Sequence, residues 1–294
     1  MKKNAKITLA VLGAGTVLSL AARVYIIVAH TDMTTGFLYH GEELMYNLIY
    51  YGIIAAAAIA AIFTARVDEN NGASERTAST IGGAGATVVG ILTMFAGMFA
   101  AYEGYIELKA ITPTAFLTVA DFLFGAAMIA IAFVTLYKKE FTPGVGYLYS
   151  LIGAYCICRG IYCFMSRMVM INVPEYLIEC ISLIGMSVFF VMLGRFLSGN
   201  ETRNTRRFAC FWGGCSALLT LSSAFGTLIT KLAAPEEIRK RIAMTANEAE
   251  LFRQASEGVD AYKLTATPWV NVFMALITAA CIVIMLAKPK QNNG

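Results

Sequence analysis

Charge is what this sequence has least of. Only 14% of its residues are Asp, Glu, Lys or Arg, against roughly a quarter in an ordinary soluble domain, so it cannot cover a globular surface with solvated side chains. Histidine is scarcer still. The two histidines, His30 and His40, both fall around the first interhelical loop, which excludes the helix-borne imidazoles of a haem site or an HExxH zinc site. There is no Walker glycine loop with its lysine, no GxSxG elbow and no evident Ser, His and Asp set. The sequence therefore implies no catalytic residues, no metal and no cofactor. The GGAG string at 82–85 opens an apolar run and reads as helix packing, not as a phosphate cradle.

What remains is apolar. At 58% hydrophobic residues and a mean hydropathy of +0.65, the chain reads as an all-α integral membrane protein. A span needs about 20 residues, and runs of that length lie near 7–29, 44–65, 80–103, 115–137, 144–166, 175–198, 208–231 and 268–287. Thr112-Pro113, Thr267-Pro268, KKEFTPG and NETRNTRR are among the loop signals between them. MKKNAK followed by an apolar run resembles a signal peptide with a small-residue cleavage point near Ala21. The run continues through Ile26, Ile27 and Val28, which favours an uncleaved first span. The seven cysteines all lie in or beside apolar runs of the second half and read as buried free thiols.

The formal charge of +4 reflects basic residues at span ends, a topology signal and not a nucleic-acid surface. With both termini cytoplasmic, the inside receives Lys2, Lys3, Lys6, Arg66, Arg76, Lys138, Lys139, Arg195, Arg203, Arg206, Arg207, Lys288 and Lys290. The short outer loops then hold only Lys109 and Arg167. The chain reads as a multi-pass protein of the cell membrane with the lipid bilayer as its constant partner. The long connection at 232–267 predicts an extracytoplasmic amphipathic helix at about 235–262, with Pro235 in the first turn and Ile238, Ile242, Ala249, Phe252 and Val259 along one face.

Small residues form a seam in the third run. Gly83, Ala86, Gly90, Thr93, Gly97, Ala100 and Gly104 alternate steps of three and four, which puts them on one helical stripe. Such stripes let membrane helices approach closely. A shift of 130 residues gives Gly213, Ser216, Thr220, Ser223, Thr227, Thr230 and Ala234, all small again. Arg23 and Arg159, EELMYNLIYYG and EYLIECISLIG, and the two Thr-Pro pairs recur in the same order. The expectation is a 4+4 parallel internal repeat, with units 1–140 and 141–294 and with spans 3 and 7 meeting at a pseudo-two-fold axis. Gly83, Gly90, Gly97, Gly104 and Gly213 are the expected helix-packing positions.

Ionisable groups inside spans are costly and mark function by default. In this topology Arg23, Glu43, Glu103, Asp121, Arg159 and Glu179 share the outer half of the membrane, with Asn47 one turn below Glu43. Hairpin depth pairs Arg23 with Glu42 or Glu43, and Arg159 with Glu175 or Glu179. Asp121 and Glu103 are left without an obvious basic partner, while Tyr46, Tyr50 and Tyr102 are deep enough to line a cavity. The best functional reading is a small-solute or ion transporter, or its substrate-binding membrane component, taking a small polar or ionic ligand at these residues. The alternative is a non-catalytic membrane scaffold or sensor that docks a protein partner through the 232–267 loop.

Overall fold

Each long apolar run is helical because in lipid every backbone N–H and C=O must find its partner within the chain, which a helix provides locally. The computed structural model describes residues 3–30, 43–69, 83–108, 115–141, 143–167, 174–198, 200, 202, 204–233 and 267–286. Among these, the helices are α1 (Lys3–His30), α2 (Glu43–Glu69), α3 (Ala84–Leu108) and α4 (Ala115–Lys138). They continue with α5 (Pro143–Arg167), α6 (Pro174–Leu197), α7 (Thr205–Ala233) and α8 (Thr267–Leu286). All eight are long and apolar enough to cross a membrane, the make-up of a multi-pass membrane protein. The amphipathic helix expected at 235–262 lies outside the described residues.

Helix ends are set by local chemistry. Pro143, Pro174 and Pro268 stand in the first turns of α5, α6 and α8, where a missing N–H costs nothing. Ahead of α3, Gly83 adopts a left-handed conformation (φ 84°). Its N–H donates to the Lys139 carbonyl at 2.9 Å, just beyond the end of α4. Thus α3 and α4 are fastened at one end by a backbone bond, and Gly83 serves as a turn with open space where a side chain would sit.

The α3 seam packs on α4. A Cβ at Gly97 would lie 2.8 Å from the Gly125 carbonyl oxygen, and one at Gly125 would lie 2.9 Å from the Gly97 carbonyl oxygen, so the two backbones touch. Gly90 faces Leu136, and Gly104 faces Asp121 and Phe122. In the second half, Gly213 of α7 faces the ring of Phe189 on α6.

Neighbouring helices close a ring in the order α3, α4, α5, α6, α7, α8 and back to α3. Its interior is one apolar core that includes Met128, Ile152, Met186, Phe189, Phe190, Met274 and Ile277. The α1–α2 hairpin packs against α7 on the outside of the ring. Leu12 meets Gly214 and Gly15 meets Leu218, so α1 and α7 run parallel. The expected meeting of spans 3 and 7 is corrected by this packing. α8 stands between them, α3 rests on α4 and α8, and the hub is α7, which packs against α1, α2, α6 and α8. The reason lies in the glycines: the closest backbone approach available to α3 is at Gly125 of α4.

One hydrogen-bonded clip ties α3, α4 and α5 through the core. Tyr149 places its hydroxyl 3.3 Å from Thr93 Oγ1 and 3.4 Å from Thr135 Oγ1. Both threonines donate to their own helices, to Val89 and Ile131 carbonyls, so Tyr149 is the donor in the clip. Tyr149→Phe strands no donor and is expected to cost about 1 kcal/mol. The check is thermal unfolding in detergent, where the melting temperature should fall by about 2–4 °C.

Candidate functional site

At one end of the ring, where α3, α5 and α7 finish and α4, α6 and α8 begin, the apolar core gives way to polar side chains. Arg159 on α5 is 7% exposed, Glu103 on α3 is 9% and Asp121 on α4 is 0%. They lie five to eight residues from their helix ends, a depth of about 8–12 Å at 1.5 Å per residue. The α3 seam makes this possible, since Gly104 brings α4 close enough for Asp121 to sit against it, fully buried.

Arg159 is the centre of the cluster. Its Nη1 donates to Asp121 Oδ1 at 3.0 Å and to the Tyr155 hydroxyl oxygen at 3.0 Å. Its Nη2 lies 3.8 Å from Glu103 Oε1. Tyr155, one turn back on α5, donates its own hydroxyl to Asp121 Oδ1 at 2.9 Å. Three helices are therefore joined through one guanidinium. Isolated, such a charge would cost about 2.5–3.5 kcal/mol at the centre of a span, and mutual pairing offsets that cost.

A second polar group lies on α6 and α8. Glu179 accepts a hydrogen bond from Asn271 Nδ2 at 3.3 Å, and the Cys163 thiol on α5 lies 3.9 Å from its other oxygen. Glu179 also lies close enough to Arg159 to attract it. Five of the six ring helices, α3, α4, α5, α6 and α8, thus contribute polar groups at one depth.

The pairing expected from hairpin depth is extended here. Ion pairs of Arg159 run to Asp121 and Glu103, which hairpin depth does not offer it, because the ring sets α4 beside α5 and α3 behind it. Asp121 and Glu103, expected to lack a basic partner, share this one. Arg23 is as buried as Arg159, but on α1, which packs against α2 and α7. Asn47 is exposed on α2, and the side chains of Glu43, Tyr46, Tyr50 and Glu175, like the whole of Glu42, lie outside the described residues. Tyr102 is exposed and stacks on Tyr105, on the outside of the helix and away from the cluster.

Sequence reasoning passed over Tyr155, Asn271, Cys163 and Thr118. The first carried a legible signal, since it stands four residues before Arg159 and so shares its face. Among the described residues no group of three or more His, Cys, Asp or Glu is arranged to hold a metal ion. No protein family, curated protein or solved structure matches the chain.

Proposed function

We propose that this chain is a small-solute or ion transporter, or the substrate-binding membrane component of one, with its polar site in the outer half of the membrane. One observation carries the reading: five ring helices direct charged and hydrogen-bonding groups to a single depth, while the rest of the described ring core holds apolar side chains and neutral hydroxyls. The Tyr149 clip is made of neutral hydroxyls alone. Arg159 instead faces two carboxylates directly and a third at longer range, which suits a site that rearranges when a charged ligand enters.

The finer architecture belongs to the same proposal. Both termini are cytoplasmic, the membrane is the cell membrane, and the chain is two parallel four-helix units, 1–140 and 141–294. The basic span ends support the orientation. Hairpins α1–α2 and α5–α6, with α3–α4 and α7–α8, pair alike in the two units and support the repeat. In this orientation the polar end of the ring faces outward.

Transport is tested in proteoliposomes with a panel of radiolabelled small ions and polar metabolites. At least one solute is expected to accumulate, with uptake reduced at least about tenfold by Arg159→Lys, because lysine cannot reproduce the fork that reaches two carboxylates. If no solute on a broad panel accumulates, or if folded Arg159→Lys transports as well as wild type, the proposal fails.

A further inference from the structure

Asp121 has one oxygen satisfied and one not. Its Oδ1 receives both the Tyr155 hydroxyl and the Arg159 guanidinium. Its Oδ2 is buried and has no hydrogen-bond partner. One turn earlier on the same buried face of α4, the hydroxyl of Thr118 is also buried and has no partner. The buried Thr220 hydroxyl on α7 shares this state, but four other threonines do not. Thr64, Thr93, Thr135 and Thr278 are buried too, and each donates to the carbonyl four residues back, the ordinary resting place of a helical threonine.

Two buried oxygens, one from a carboxylate and one from a hydroxyl, thus belong to residues three apart on one face of α4, and neither has a hydrogen-bond partner. We infer that Asp121 Oδ2 and Thr118 Oγ1 form the oxygen face of a site for one monovalent cation, the coupling ion of the transport reaction, an inference that rests on the transport reading above. A carboxylate oxygen only accepts, so its missing partner is a positive charge or a donor. Arg159 and Tyr155 grip Oδ1 and so hold the carboxylate in place while Oδ2 stays open. Glu103, from α3, and Glu179, within the field of the same guanidinium, oppose the repulsion Arg159 would exert on an incoming cation. A divalent ion calls for several carboxylates in one shell, and the described residues supply no such set.

Sodium and the proton share this chemistry. Sodium would bridge the two oxygens, and a proton from bulk water would sit on Oδ2 and be donated to Thr118 Oγ1. Two measurements on the purified full-length protein separate them. In the first, thermal unfolding is compared in sodium chloride and in N-methylglucamine chloride. A bound sodium at tenfold excess over its Kd should raise the melting temperature by about 2–4 °C, and the rise should vanish in Thr118→Val and in Asp121→Asn. In the second, infrared spectra at neutral pH are searched for the C=O stretch of a protonated carboxyl. A proton at this site gives a band that Asp121→Asn abolishes and Thr118→Val shifts. Should Asp121→Asn fail to fold, the near-isosteric Thr118→Val carries both arms. A sodium-dependent rise lost in the variants, or a carboxyl band altered by them, supports the site. Neither effect, or effects that persist unchanged in the variants, overturns it. Because both assays read binding without flux, uptake that persists without cation binding sinks this inference alone, and cation binding without any uptake sinks only the transport reading.

Discussion

Removing the guanidinium by Arg159→Ala is expected to cost about 3–5 kcal/mol, the range for breaking a buried ion pair by deleting one partner. The physical reason is what the deletion leaves behind. Asp121 is completely buried, so without Arg159 its carboxylate keeps only the Tyr155 hydroxyl as a donor. Glu103 loses its pairing at the same time. The measurement is the melting temperature in detergent, with hydrogen exchange on α3, α4 and α5 reporting where the bundle loosens. A double variant, Arg159→Met with Asp121→Leu, removes both main charges and should recover a large share of the loss, since apolar replacements of whole buried pairs are often neutral or stabilising. If Arg159→Ala unfolds no more easily than wild type, the cluster is not the electrostatic centre of the bundle.

Gly97→Leu is expected to be at least as damaging, at about 3 kcal/mol or more, the upper end for an overpacked site. At Gly97 the obstacle is backbone. The Gly125 carbonyl oxygen lies 2.8 Å from where the new Cβ would stand, with the Ile129 amide nitrogen at 3.0 Å, and neither can rotate away. Gly90→Leu should be milder, because its near neighbour is the end of the Leu136 side chain, which can change rotamer. The order Gly97 before Gly90 is checked by thermal unfolding of the two variants, and the reverse order would contradict the backbone contact. Prying α4 from α3 also opens the wall around Asp121, through Gly104, so Gly97→Leu should reduce transport even in molecules that remain folded.

The spans are plain in the sequence because a bilayer demands a fixed length of apolar helix and little else. All eight helices fall on the eight apolar runs, with ends shifted by a few residues where Gly83 and Lys139 set local turns. Depth is also readable, since position along a span gives height in the membrane. Span position alone therefore puts Glu103, Asp121, Arg159 and Glu179 at one level. Azimuth is not readable. Which helix stands beside which depends on where two backbones can touch, and the decisive contact, Gly97 on Gly125, joins a conspicuous seam to a single glycine in FLFGAAM that no repeat singles out. Hairpin logic therefore offers Arg159 the acids of α6 alone, and the ring adds those of α3 and α4. Asn271 escapes notice for the same reason, because its partner Glu179 is 92 residues away.

The central proposal, that a solute reaches the buried cluster from the outer side of the membrane, has a direct probe in the native chain. All three of Cys163, Cys210 and Cys281 are buried, but Cys163 lies beside Glu179 in the polar group, whereas Cys210 and Cys281 lie in the ring's apolar core. Intact cells are treated with a membrane-impermeant, cationic methanethiosulfonate, and modified cysteines are mapped by mass spectrometry. The account predicts modification of Cys163 from the outside, slowed by a transported solute, with Cys210 and Cys281 untouched. Cys163 that reacts only after denaturation, or only from the cytoplasmic side, would contradict it.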